Sequence, residues 1–123
     1  MENNNIIKHN WGYEIIWAKE NNYGAKIIVF ERPGKTDFIM HSKTQKSWFI
    51  NNGTFIFHWI DPNNGNFHKK ELSEGNVITA SIMAPYSLEC TSKYGSLAEV
   101  NNGYTENDDY IILKGEILNE ISL

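Results

Sequence analysis

The chain has 123 residues, 41% of them hydrophobic and 21% charged, the make-up of one globular domain able to bury a core without a disulfide or metal staple. Its net charge of −4, with no Lys/Arg cluster, argues against nucleic acid and anionic membrane surfaces as partners. The single cysteine, Cys90, excludes an intrachain disulfide and a thiolate metal cage, and it points to a reducing, cytoplasmic setting.

The first ten residues are polar, with only Ile6 and Ile7 apolar, unlike the apolar core of a signal peptide. No apolar run approaches the roughly 18 residues that span a membrane. From there the chain alternates between turn signals and short segments rich in Ile, Val, Phe, Tyr and Trp. Strands are predicted over residues 13–18, 25–31, 47–50, 54–60, 67–72, 77–82, 97–100 and 110–113. The turns between them include Asn21-Asn22-Tyr23-Gly24, Pro33-Gly34, Asn52-Gly53, Asp61-Pro62-Asn63-Asn64-Gly65, Glu74-Gly75 and Asn101-Asn102-Gly103, where Gly and Asn tolerate positive φ and Pro presets the first turn residue. Asn52-Gly53 between two apolar segments predicts a β-hairpin over about 46–60. Near the end, Ile112, Leu113, Ile117, Leu118 and Ile121 fit either a helical stripe or a last strand. Many short strands at regular spacing predict an all-β sandwich or barrel.

Three stretches together resemble the cupin superfamily, and within it the mannose-6-phosphate isomerase-like (type II) branch of small single-domain cupins. Trp11-Gly12-Tyr13-Glu14-Ile15-Ile16-Trp17 resembles the entry strand. Pro33-Gly34, His41 and Trp48-Phe49-Ile50-Asn51-Asn52-Gly53 resemble the first cupin motif. Leu72-Ser73-Glu74-Gly75-Asn76, Ala84-Pro85 and Leu97-Ala98-Glu99-Val100 resemble the second motif and the strand after it, and Asp108-Asp109-Tyr110-Ile111 resembles the closing strand. The resemblance implies a cupin-type β-barrel (a double-stranded β-helix of two antiparallel sheets) with its core over about 11–113, a C-terminal tail over 114–123, a central small-molecule pocket, and pairing as a homodimer.

In metal-binding members of that superfamily the first motif supplies two His and one Glu, and the second motif another His. Carried over, these positions are His41, Lys43, Lys46 and Glu89, with Ile39 where the isomerase-like branch has Gln. Two ligand-type residues, His41 and Glu89, rarely hold a divalent metal, and two ammonium groups beside them repel one. No cofactor is therefore expected; zinc, iron, manganese or nickel on His41 and Glu89 is the alternative. A lysine pointing inward would replace the metal as the positive centre, with Glu89 as its partner, because a buried charge needs one. Lys43, Trp48, Tyr86 and Glu99 are the candidate ligand-binding residues, the aromatics as pocket walls. Trp11 and Trp17 read as fold anchors, His58 and His68 as surface or rim residues, Tyr104 and Asp108-Asp109 as rim or loop features, and Cys90 as a small buried hydrophobe.

Two functions compete, and a dimeric protein–protein adaptor, which would need a large exposed apolar patch, is a third reading. One is a cupin with a degenerate metal site that binds a small polar, anionic or sugar-like ligand. The other is an isomerase of a sugar or sugar phosphate, with Lys46 or Lys43 as cation, Glu89 or Glu99 as base and His41 as acid.

Overall fold

A computed structural model describes residues 5–103 and, as backbone, 109–113. Every regular element in the described residues is a strand: β1 (Ile6–His9), β2 (Gly12–Lys19), β3 (Gly24–Phe30), β4 (Gly34–Lys35), β5 (Phe38–His41), β6 (Lys46–Asn52), β7 (Phe55–Ile60), β8 (Phe67–Leu72), β9 (Val77–Ala80), β10 (Tyr86–Cys90), β11 (Gly95–Asn101) and β12 (Asp109–Leu113). They form two antiparallel sheets. The first has the order β1-β2-β3-β11-β6-β9, and the second has the order β12-β5-β10-β7-β8 with β4 added against β10. The all-β expectation therefore holds, as two packed antiparallel sheets.

Alternation decides which side chains fill the space between the sheets. On β11, Leu97 and Glu99 point inward; on β6, Lys46, Trp48 and Ile50 do; on β10, Tyr86, Leu88 and Cys90 do. Phe30, Phe38, Ile50 and Leu97 are 0% exposed, each contributing about 1.5–3 kcal/mol by leaving water. Trp11 lies flat between Phe30 and His9, at centroid distances of 4.0 and 4.3 Å. Cys90 is buried in the same core, and burial pushes its thiol pKa up, as befits an unreactive hydrophobe.

One local expectation fails. Residues 46–60 do not form a hairpin, because β6 pairs with β11 and β9 in the first sheet while β7 pairs with β10 and β8 in the second. Gly53 has the positive φ (87°) that Asn-Gly turns favour, but the turn is a corner between sheets. A Cβ on Gly53 would lie 2.7–2.8 Å from Tyr94, Gly95 and Ser92, so the β10–β11 connection, which also crosses from one sheet to the other, packs directly on this corner. β7 instead forms a hairpin with β8, closed by the loop 61–66. The N-terminal strand β1 also exceeds the sequence expectation, which began the barrel at Trp11. Its register on β2 places Ile6 beside Ile15. The tail 114–123, with Ile117, Leu118 and Ile121, and the positions Tyr104 and Asp108 lie outside the described residues.

The outer face of the first sheet is unusual for one that meets solvent, where polar residues normally alternate with buried ones. A single row crosses all six strands through the pairs Ile6–Ile15, Ile15–Ile27, Ile27–Ala98, Ala98–Phe49 and Phe49–Val77. No outward position of β3, β11, β6 or β9 carries a charge. Four of the large exposed hydrophobics, Trp17, Phe49, Val77 and Val100, lie on or beside this row.

Candidate functional site

Between the sheets, at the end framed by the β1–β2 turn and residues 32–37, is a cavity of about 540 Å³. Its volume falls in the range of small-molecule sites. The two walls differ in chemistry. The first sheet contributes Glu14 (β2), Lys26 (β3), Glu99 (β11), and Lys46 and Trp48 (β6); the second contributes Ile39, Tyr86 and Leu88. Trp11 borders one side, and His9, Arg32, Lys35 and Asp37 surround the mouth.

Four charges of alternating sign therefore lie on neighbouring strands. Lys26 Nζ is 2.6 Å from Glu14 Oε1 and 3.9 Å from Glu99 Oε2, and Lys46 Nζ is 4.0 Å from Glu99 Oε1. Glu99, 2% exposed, also accepts hydrogen bonds from Trp48 Nε1 at 3.0 Å and from Asn101 Nδ2 at 3.1 Å. These donors and the two ammonium groups stabilise a carboxylate that would otherwise be too costly to bury.

Nearer the mouth, His9 Nε2 and Glu14 Oε2 are 2.6 Å apart. Burial works against the charge on Glu14, but the Lys26 ammonium, with help from His9, outweighs it and holds the carboxyl below its ordinary value of 4.5. A folded-state pKa below the unfolded one means that this group stabilises the fold above about pH 4.5 and loses that contribution as pH falls through the lowered value. We expect urea-denaturation midpoints of the natural chain and of Glu14→Gln to differ most at neutral pH and to converge in acid. A gap that stays constant across that range would assign the acid limb to other groups.

No protein-family model matches the sequence, and no curated protein matches it. Solved structures do match. The capsular polysaccharide assembling protein CapF from Staphylococcus aureus superposes with a TM-score of 0.80 at 10% identity, over 88% of this chain and 32% of that one. Oxalate decarboxylase from Bacillus subtilis superposes with a TM-score of 0.77 at 12% identity, over 87% of this chain and 29% of that one. Both neighbours have the cupin fold. The barrel has the cupin fold. The chain spans about a third of the length of these neighbours, and at such identities the likeness concerns the fold alone.

The four positions that the sequence resemblance aligns with the metal-binding residues of the cupin superfamily fall in different surroundings on this barrel. His41, at the end of β5, is buried, and its Nε2 shares a hydrogen bond of 2.9 Å with the Tyr86 hydroxyl. Lys43 is exposed, in the segment after β5 where strand alternation has ended. Lys46 does point inward, but its partner is Glu99. Glu89 is on the outer face of the second sheet: Leu88 and Cys90 on either side of it are buried inward, so Glu89 projects away and bonds His58 Nε2 at 2.8 Å. Among the described residues, no three His, Cys, Asp or Glu side chains converge. This donor set does not fit a divalent cation: one imidazole already bonded to a phenol, an ammonium paired with a carboxylate, and a glutamate facing the other way.

The expected pairing of Glu89 with an inward lysine is thus corrected to Glu99, and Lys43 is not a cavity residue. His58 is not at the rim; it is buried against Glu89, while His68 is exposed and stacks on Trp59 at 5.2 Å. Trp17 is 63% exposed rather than an anchor, whereas Trp11 is buried. Trp48, Tyr86, Lys46 and Glu99 are brought together at the cavity. Glu14 and Lys26 escaped the sequence reading. The signal was present: Lys26 shares inward parity with Ile28 and Phe30 in an otherwise apolar strand, which is an unusual place for an ammonium.

Proposed function

We propose that this protein is a small-molecule-binding cupin whose interior cavity takes a polar ligand of about monosaccharide size, at a site that has lost the metal-ligating set. The observation that carries the reading is the cavity's construction. A wall of buried, mutually paired charges faces a wall of aromatic and aliphatic side chains, and together they enclose about 540 Å³. A buried polar wall of this kind is costly in a structural core, where apolar replacements of similar volume are often as stable or more so. Its retention is understandable where the groups meet a ligand. Fold does not choose that ligand, since one structural neighbour is a capsular polysaccharide assembling protein and another an oxalate decarboxylase. The isomerase alternative needs cation, base and acid at one place: Lys46 and Glu99 meet at the cavity as cation and base, but His41, the acid, bonds Tyr86 and does not line it, and Glu89 faces the other way.

A thermal-shift screen of monosaccharides, sugar phosphates, sugar acids and dicarboxylates tests the reading. A ligand at 100 times its Kd adds about 2.7 kcal/mol of stability, a readily measured rise in Tm. The rise should vanish in Lys46→Met. Stabilisation by none of these classes would remove the proposal.

We infer in addition that a second copy of the chain covers the outer face of the first sheet. Six strands about 4.8 Å apart and central strands about 20 Å long give each face roughly 500 Å², so two copies bury about 1,000 Å², where specific interfaces begin. The four strands β3, β11, β6 and β9 carry no outward charge, and Lys8 stands on the edge strand β1, so the centre of the face can meet itself about a two-fold axis without like-charge repulsion. Light scattering coupled to size exclusion should give twice the chain mass. Phe49→Asp should return it to one chain mass with an unchanged far-UV spectrum. A natural chain that runs as a monomer at tens of micromolar would refute this interface.

A further inference from the structure

The charges in the cavity carry more than the presence of a ligand. Around the first-sheet wall they run Glu14, Lys26, Glu99, Lys46, one on each of four adjacent strands, alternating in sign and summing to zero. The facing wall of Ile39, Tyr86 and Leu88 carries no charge, and Trp48 closes the floor.

Resting on the reading of this cavity as a small-molecule site, we infer that its ligand is an uncharged polyhydroxylated ring, a neutral monosaccharide or a cyclitol, and that the cavity selects against the phosphorylated or acidic forms of the same ring. A hydroxyl is at once donor and acceptor. Set beside Glu99 and the Lys26 or Lys46 ammonium, 3.9 and 4.0 Å from it, it can donate to the carboxylate and accept from the ammonium, and a neighbouring hydroxyl on the ring meets the closer Glu14–Lys26 pair, 2.6 Å apart. The ring's C–H face then lies against the apolar wall, as aromatic and aliphatic surfaces prefer. An anionic group meets a different balance. The ammonium that attracts it has a carboxylate within 4 Å, so attraction and repulsion nearly cancel, while the cost of stripping water from the anion remains. The mouth adds two cations, Arg32 and Lys35, against one carboxylate, Asp37. Arg32, exposed, bonds the Asn10 carbonyl, and charges so close to bulk water are screened by salt.

Tryptophan emission reports binding directly, because Trp11 and Trp48 border the cavity. The full-length chain is titrated with glucose, galactose, mannose and myo-inositol, and with the 6-phosphates and uronic acids of the sugars, at low and high salt. At least one neutral ring should bind about tenfold or more tightly than its charged counterparts, with an affinity indifferent to salt. Glu14→Gln, which leaves the wall with net charge +1, should move the preference toward the 6-phosphate by about fivefold or more. Tighter binding of a phosphate or uronate by the natural chain overturns the inference while leaving the small-molecule reading standing. So does a neutral-to-charged ratio that Glu14→Gln does not move. Binding of no probe from either set removes both.

Discussion

Glu99→Gln is expected to lower the Tm by roughly 10–15 °C, the shift that corresponds to about 3 kcal/mol in a domain of this size. Gln keeps the shape and can still accept from Trp48 Nε1, 3.0 Å away, but it removes the one negative charge shared by Lys26 and Lys46. Lys26 keeps Glu14 at 2.6 Å, while Lys46, whose side chain is 7% exposed, loses the carboxylate 4.0 Å from its Nζ. A cation taken out of water and deprived of its carboxylate is among the few single changes that cost this much. Lys46→Met in the Glu99→Gln background should therefore restore much of the lost stability, since it removes the cation left behind. A double-mutant cycle in urea measures this, and a coupling energy near zero would show that Glu99 is held by its hydrogen bonds alone. The cycle also separates stability from recognition, because the double variant should fold yet fail to bind the ligand of the natural chain.

The barrel was readable because its evidence is repeated. Alternation recurs in β2, β3, β6, β7 and β11, and each turn cluster between them breaks the chain with Gly or Asn. What alternation alone does not say is which strand pairs with which. Asn52-Gly53 has the composition of a hairpin turn, yet the strands on either side go to different sheets, a choice made by where Trp48, Ile50, Phe55 and Phe57 bury. The site was legible to the extent that parity was right. Lys46, Trp48, Tyr86 and Glu99 share the inward parity of their strands, whereas Glu89 is one residue out of step with Leu88, and a one-residue slip sends a side chain to the opposite face. Lys43 failed for a different reason: β5 ends at His41, and beyond a strand's end parity has no meaning. The partners of Lys46 were hidden because they come from strands distant in sequence. Glu99 is 53 positions away, and only the placement of β11 between β3 and β6 brings it to both lysines.

Gly12→Ala should be the more damaging of the two changes, although it adds only one methyl group. An added Cβ would lie 1.9 Å from the Val29 carbonyl oxygen and 2.9 Å from its carbon. These are backbone atoms of β3, which is paired on both sides, to β2 and to β11, and whose Phe30 is wholly buried. There is no flexible side chain to give way, so β2 must lift from β3 or β3 must leave the sheet. Ordinary overpacking costs about 1–3 kcal/mol through side-chain adjustment; a clash against fixed backbone should exceed that, and the chain should be largely unfolded at 37 °C. Trp11 precedes Gly12 and both caps Phe30 and borders the cavity, so any folded fraction should also lose ligand-induced tryptophan quenching. Gly75→Ala provides the comparison. Nothing lies within 4 Å of its added Cβ, and only the positive φ of 86° opposes it, at a cost of about 1–2 kcal/mol. Equilibrium urea unfolding of the two variants side by side distinguishes a backbone clash from a turn preference. If Gly12→Ala were no worse than Gly75→Ala, the entry strand would be free to shift, and Trp11 and Glu14 would not be held rigidly at the cavity.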